Sequence, residues 1–171
     1  MGYTFLTGGA RSGKSAAAVR RASTAPAVTF VAPAEARDEE MRTRIGRHRA
    51  ERPSEWSTVE EPMELAQAVR AADPAAFLVV DCLTLWLANI LHWDDDRIAA
   101  ATDELVTALL DRPGDAVVVS NEVGDGIVPI DPLTRRYRDL LGGTNTTLAA
   151  AADEAYLVVA GRLLRLEVPS W

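Results

Sequence analysis

A single cysteine, Cys82, is all the thiol the chain contains. An internal disulfide is therefore excluded, and cysteine usage gives no hint of export. No apolar run is long enough to span a bilayer. The amino terminus lacks a basic region followed by an apolar core and a cleavage site, so no signal peptide is expected. A basic excess is also missing. The formal net charge is −7, whereas a general nucleic-acid binder is usually basic. There is no internal repeat, no low-complexity tract and no linker long enough to divide domains, so residues 1–171 are expected to form one domain. The remainder is ordinary for a globular protein: 48% hydrophobic and 25% charged residues. A cytoplasmic protein without a membrane span is the expectation.

What is present is organised around Gly8-Gly9-Ala10-Arg11-Ser12-Gly13-Lys14-Ser15, which fits the phosphate-loop pattern G-x-x-x-x-G-K-[ST] at every fixed position. Before it, Tyr3 to Thr7 is β-branched and aromatic, as a buried strand reads. After it, Ala16 to Ala22 is built of strong helix formers. Gly8 and Gly13 allow a tight turn that brings backbone N–H groups close to a polyphosphate. The following helix aims its positive end at the same anion. Lys14 is expected to reach the β- and γ-phosphates, and Ser15 to offer its hydroxyl to Mg²⁺. In an acidic chain the polyphosphate partner is expected to be a mononucleotide rather than a nucleic acid.

Further short apolar runs alternate with helical stretches: Val28–Ala32, Phe77–Asp81 and Ala116–Ser120. This pattern predicts parallel strands buried on both faces. Phe77-Leu78-Val79-Val80-Asp81 ends in an acid, the Walker B form, which sets Asp81 near the metal that Ser15 would hold. Pro33-Ala34-Glu35 follows the second strand, where open α/β sheets take ligands, although the residues alone favour a plain strand-to-helix turn. The predicted helix Ala36–Arg52 carries six arginines: Arg37, Arg42, Arg44, Arg47, Arg49 and Arg52. A solvated face and an anion-facing lid both suit them. Met41, Ile45 and His48 share one stripe of that helix, and on periodicity alone such a histidine reads as structural. Ser57–Glu60 is a weak strand candidate.

A helix is expected over Pro62–Ala72, starting at its proline. The next, Thr84–Leu91, is apolar nearly all round and suits either burial or a subunit interface. His92 reads as a helix-end residue. The cluster Asp94-Asp95-Asp96 is better read as favouring the next helix dipole than as a metal site, since consecutive side chains diverge. That helix runs Arg97–Leu110. Asn121 to Gly126 places polar groups and glycines at a strand's carboxyl end, suited to a ligand or simply to a solvated loop. Asp131-Pro132 predicts a capped helix start. Gly142-Gly143 predicts a break, with a second helix over Thr144–Ala152. Gly161-Arg162 predicts a two-residue type II′ hairpin loop closing the sheet with an antiparallel pair. The fold class is thus α/β and P-loop NTPase-like: a mostly parallel sheet flanked by helices, ending in an antiparallel hairpin.

Several of these segments together resemble one family. They are Gly8–Ser15, Arg44-Ile45-Gly46-Arg47-His48-Arg49, Arg52-Pro53-Ser54-Glu55-Trp56, Asn121-Glu122-Val123-Gly124 with Gly126-Ile127-Val128-Pro129, and Ala149 to Glu154. In this order they resemble the bifunctional adenosylcobinamide kinase / adenosylcobinamide-phosphate guanylyltransferase of cobalamin biosynthesis. The resemblance implies two reactions. A nucleoside triphosphate, ATP or GTP, phosphorylates the hydroxyl on the aminopropanol arm of adenosylcobinamide. GTP then transfers GMP to adenosylcobinamide phosphate through a histidine-bound GMP, which falls on His48, with Lys14 as the other catalytic residue. Nucleotide contacts are implied at Gly8, Gly9, Ala10, Arg11, Ser12, Gly13, Lys14 and Ser15, at Pro33, Ala34 and Glu35, at Arg49, Ala50, Glu51 and Arg52, and at Glu60 and Asp81. Mg²⁺ is implied on Ser15 and Asp81, and a homotrimer as the assembly. Some relatives carry two adjacent histidines where this chain has Arg47-His48, which leaves one candidate nucleophile. A simpler small-molecule kinase on the same loop, or a nucleotide-dependent switch or ATPase, would need no histidine on that stripe.

Overall fold

The computed structural model describes residues 2–34, 39, 43, 46, 49 and 52–169. Its strands are β1 (Tyr3–Thr7), β2 (Val28–Ala32), β3 (Ser57–Glu60), β4 (Phe77–Asp81), β5 (Ala116–Val119), β6 (Glu154–Val159) and β7 (Arg162–Leu166). Its continuous helices are α1 (Lys14–Ala22), α2 (Leu65–Ala71), α3 (Leu83–Ile90), α4 (Asp95–Leu110) and α5 (Pro132–Ala151). The strands form one sheet in the order β3-β2-β4-β5-β1-β6-β7. All neighbours pair in parallel except β6 with β7. This is the P-loop NTPase-like α/β arrangement that the apolar runs predicted.

The central strands β1, β2 and β5 are buried along their whole length, which is why they read as apolar runs broken only by the β-branched Thr4, Thr7 and Thr29. One face packs Leu6, Phe30, Val79, Val117, Val119 and Val158 against the alanines of α1. The other packs Tyr3, Phe5, Val80 and Val118 under α2, α3, α4 and α5. Helix α3 is buried through Leu83, Trp86, Leu87 and Ile90, and the Trp86 indole donates to the Met63 carbonyl at 2.8 Å. Its apolar girth therefore serves the core of this chain.

Three expectations are corrected. The helix predicted from Pro62 starts at Leu65 instead. The Glu61 carboxylate accepts from the Met63 and Glu64 amides at 2.9 Å, holding them in a turn ahead of the helix. Gly142-Gly143 does not break its helix, because α5 runs uninterrupted from Pro132 to Ala151. Leu141, Thr144, Asn145 and Leu148 bury one stripe across the glycine pair, and that packing outweighs a propensity cost of about 1 kcal/mol per glycine. Finally, the hairpin loop is Ala160-Gly161, since Val159 pairs with Arg162. Both loop residues have positive φ, 51° and 75°, the mark of a type I′ turn rather than II′. Of the predicted helix Ala36–Arg52, the described residues Glu39, Thr43, Gly46 and Arg49 are helical; Arg37, Met41, Arg42, Arg44, Ile45, Arg47 and His48 lie outside the described residues.

A Cβ added at Gly142 or Gly143 meets nothing within 4 Å, and neither glycine has positive φ. Gly142→Ala and Gly143→Ala are therefore each expected to stabilise the protein by about 0.5–1 kcal/mol, read as a rise in thermal midpoint. A fall at either position would show that the glycine serves a close approach absent from the isolated chain.

Candidate functional site

The loop between β1 and α1 lies at the carboxyl edge of the sheet, where parallel strands leave room for a ligand. Gly8 has φ 147° and Gly13 φ 100°. Both requirements are backbone ones. A Cβ on Gly8 would stand 2.3 Å from the Val158 carbonyl oxygen, and one on Gly13 3.0 Å from Gly161 Cα. Arg11 also sits at positive φ, 56°. Gly13 precedes the first helical residue and takes the Ala17 amide at 2.9 Å, so the amino end of α1 opens directly onto the loop.

The carbonyls of Gly8, Gly9, Ser12 and Gly13 are engaged within the protein. Gly8 accepts from the Glu122 amide at 2.9 Å, and Ser12 accepts from the Gly161 amide at 2.7 Å. The Lys14 ammonium donates to the Gly8 and Gly9 carbonyls at 2.8 and 2.7 Å and to the Ser12 hydroxyl at 3.3 Å. Lys14 is buried, and desolvation holds its pKa below the usual lysine value, while the negative charge of Asp81 pulls the other way. Asp81, half-buried at the end of β4, is thus close enough for its charge to act on this amine. Ser15 is half-buried at the first turn of α1. The next residue after Asp81, Cys82, is a thiol pushed up to about 11 by burial and by the Asp81 charge.

The remaining predicted residues are distributed unevenly. Pro33 is buried, and its carbonyl accepts from the Asn89 amide group at 2.8 Å. Ala34 is half-buried beside it. Glu60 is exposed at the end of β3 and pairs with Arg49 at 3.6 Å, a surface pairing of little energetic weight. The Arg52 guanidinium lies over the Phe30 ring, 3.3 Å from its centroid. These contacts bring the end of the arginine segment to the β2–β3 side of the same sheet edge. Glu35, His48, Ala50 and Glu51 lie outside the described residues. Among the described residues no group of three His, Cys, Asp or Glu is gathered to hold a metal.

The supports of the site are residues the sequence reading did not single out. Gly161 and Val158 come from the far end of the chain, and a hairpin glycine carries no local sign that it braces another loop. Behind the edge, Ser120 donates to the Asn145 side chain at 2.6 Å, Asn145 donates to the Asn121 carbonyl at 3.0 Å, and the Asn121 amide donates to Thr84 at 3.0 Å. This buried chain fixes where β5 hands over to Glu122. A separate cleft of about 390 Å³ lies at the opposite edge, lined by Gly2, Tyr3, Asp115 and Asp153. It opens where these strands begin, away from the phosphate loop.

Comparison with known proteins bears on the same residues. A family described as cobinamide kinase / cobinamide phosphate guanyltransferase matches residues 4–166. The bifunctional adenosylcobalamin biosynthesis protein CobP of Pseudomonas aeruginosa is 45% identical over 160 residues, spanning 92% of each chain. The bifunctional adenosylcobalamin biosynthesis protein CobU of Escherichia coli is 38% identical over 92% of this chain and 95% of its own. Among solved structures, PH0250 of Pyrococcus horikoshii superposes with a TM-score of 0.56 at 8% identity, over 96% of this chain and 85% of that one. The RadB recombinase gives 0.52 at 14% identity, over 91% and 73%. Likeness at such low identity speaks to the fold alone.

Two outcomes follow from the geometry. Gly8→Ala is expected to destabilise the protein by about 2 kcal/mol, through positive φ and the clash with Val158, whereas Gly9→Ala, whose Cβ meets nothing within 4 Å, should be near neutral; urea midpoints compare them. Stability is also expected to fall as pH rises from the ordinary thiol value of 9.0 through about 11. Over that window the folded chain keeps the Cys82 proton that the unfolded chain releases, and burial raises Tyr3 and Tyr137 in the same sense. Cys82→Ala should flatten this alkaline decline in a urea titration run at stepped pH.

Proposed function

The chain belongs to the cobinamide kinase / cobinamide phosphate guanyltransferase family, and from that premise we propose that it phosphorylates adenosylcobinamide and then transfers GMP from GTP to the resulting phosphate. The observation that carries this reading is the intact phosphate loop, Gly8 to Ser15, set against Asp81 within a chain matched to the family almost end to end. In the kinase step the loop amides and the start of α1 would hold the β- and γ-phosphates of ATP or GTP. The Lys14 ammonium would exchange the Gly8 and Gly9 carbonyls for phosphoryl oxygens, a stronger, charge-assisted contact. The acceptor is the hydroxyl of the aminopropanol arm. Catalysis of this kind is mostly positioning and charge stabilisation.

In the second step we assign the nucleophile to His48. A ring nitrogen attacks the α-phosphorus of GTP, a P–N bond forms, and the bond to the β-phosphate oxygen breaks, releasing pyrophosphate. A phosphate oxygen of adenosylcobinamide phosphate then attacks the same phosphorus, and the P–N bond breaks to give adenosylcobinamide-GDP. Neutral imidazole is a competent nucleophile near pH 7. Lys14 and the loop amides would stabilise the departing pyrophosphate. Pro33 to Glu35, Arg49 to Arg52 and Glu60 are assigned to the guanine nucleotide; the placement of Arg49, Arg52 and Glu60 on one side of the sheet edge supports this. Ser15 and Asp81 suit Mg²⁺: a hydroxyl and a carboxylate are the hard oxygen donors of an ion that keeps most of its shell for water and phosphate. When bound, that ion would neutralise phosphate charge.

With GTP labelled at the α-phosphate, the protein is expected to form an adduct that is labile in acid and stable in alkali. His48→Ala should abolish the label while leaving cobinamide phosphorylation measurable. Lys14→Ala should depress both reactions, by about a hundredfold or more. Retention of label in His48→Ala would remove the histidine from the mechanism.

A further inference from the structure

Past Glu122 the chain does something that nucleotide binding does not require. Between Val123 and Leu133 it exposes a run of large apolar side chains. Ile127 is 98% exposed and Ile130 96%, with Val128 and Leu133 more than half exposed beside them. The run starts at the phosphate loop, because the Glu122 amide is bonded to the Gly8 carbonyl. It ends on a fixed support. Arg135 donates to the Pro129 and Ile130 carbonyls, and Asp131 caps α5 by accepting from the Thr134 amide at 2.7 Å.

The support stands above the sheet. Asn145, on α5, is level with the carboxyl edge through its bonds to Ser120 and Asn121. Leu148, further along the helix, accepts from Tyr3 at the start of β1, so the stretch of α5 from Pro132 to Asn145, about 20 Å long at the helical rise, leads away from the sheet. Arg136 bonds the Leu91 and Trp93 carbonyls and the Asp95 carboxylate, and Tyr137 bonds the Thr84 carbonyl, so this projecting half is braced on α3 and α4. The segment 123–133 climbs from the phosphate loop up this wall.

We propose that this strap, centred on Ile127, Val128 and Ile130, is the platform that receives the corrin ring of the acceptor substrate; the proposal rests on the function proposed above. Polyphosphate and ribose are recognised by amides, cations and hydroxyls, which isoleucines do not supply. A corrin macrocycle presents broad apolar faces, with its amides at the rim, and packs on aliphatic side chains. Its reacting hydroxyl is carried on a side arm, away from the ring. A platform set beyond the phosphate loop, rather than in it, gives that arm room to bring the hydroxyl to the terminal phosphate. Charge agrees as well. An alkylcobalt(III) corrin is a net cation, and from Asn121 to Asp131 the chain carries Glu122, Asp125 and Asp131 and no lysine or arginine.

The test is the double variant Ile127→Ser/Ile130→Ser, compared with the native protein in four measurements. These are equilibrium dialysis of adenosylcobinamide, phosphorylation kinetics with varied cobinamide, GTP affinity, and oligomeric state by light scattering. Both side chains lie in solvent, so the variant is expected to keep its thermal midpoint. The expected result is a rise of at least tenfold in the Kd and KM for cobinamide, with kcat at saturating cobinamide and GTP affinity unchanged. An unchanged KM in an active variant would overturn the platform and leave the proposed function standing. Altered oligomeric state would overturn it too, by assigning the strap to subunit contact. If native protein binds GTP but neither binds nor phosphorylates cobinamide, the proposed function fails and the platform with it.

Discussion

A backbone loop that turns its N–H groups toward an anion must turn carbonyls the other way, and those carbonyls need donors. That constraint shapes much of what surrounds Gly8 to Ser15. The donors come from distant places: Glu122 from the end of β5, Gly161 from the β6–β7 turn, and Lys14 from within the loop itself. Each satisfies an oxygen that a flexible turn would leave to water. Two of them are backbone amides, so their contribution does not depend on which side chain stands there. The loop is thereby shaped before any ligand arrives, and binding does not have to bear the whole ordering cost.

Lys14 has a dual part in this arrangement. Buried and desolvated, its ammonium is held by two carbonyls and by the field of Asp81. A buried cation with weak neutral partners is poised to prefer a phosphate, whose oxygens carry full charge. The negative charge of Asp81 opposes the effect of desolvation on that amine. The cluster therefore shows why a strand ending in an acid means little alone and much beside a phosphate loop.

The sequence was most legible where a local rule and the global fold agreed. β1, β2 and β4 were bounded to the residue, because runs buried on both faces stop where glycine, proline or charge begins. The Asp131-Pro132 cap was equally plain, since capping is a contact between near neighbours. Errors arose where packing overrode a local preference. Gly142-Gly143 reads as a break, yet Leu141 and Leu148 carry the helix through it. Pro62 reads as a helix start, yet Glu61 holds the next amides in a turn. The braces from Gly161, Asn145 and Asn89 were illegible for another reason: each joins residues far apart in the chain. The role proposed for His48 comes from resemblance alone, since its stripe by itself reads as structural.

The hairpin that sets the phosphate loop has a consequence for how the protein is made. The loop leaves the ribosome well before Val158 and Gly161, which come from the other end of the sheet's strand sequence. β1 also waits for late material, because both its sheet neighbours, β5 and β6, and the Leu148 carbonyl that takes the Tyr3 hydroxyl lie in the second half of the chain. A nascent polypeptide thus carries every residue of the phosphate-binding motif long before it has the walls that shape it. The loop can take its shape only once the hairpin has been made, and a chain cut short before the hairpin would hold the signature without its walls.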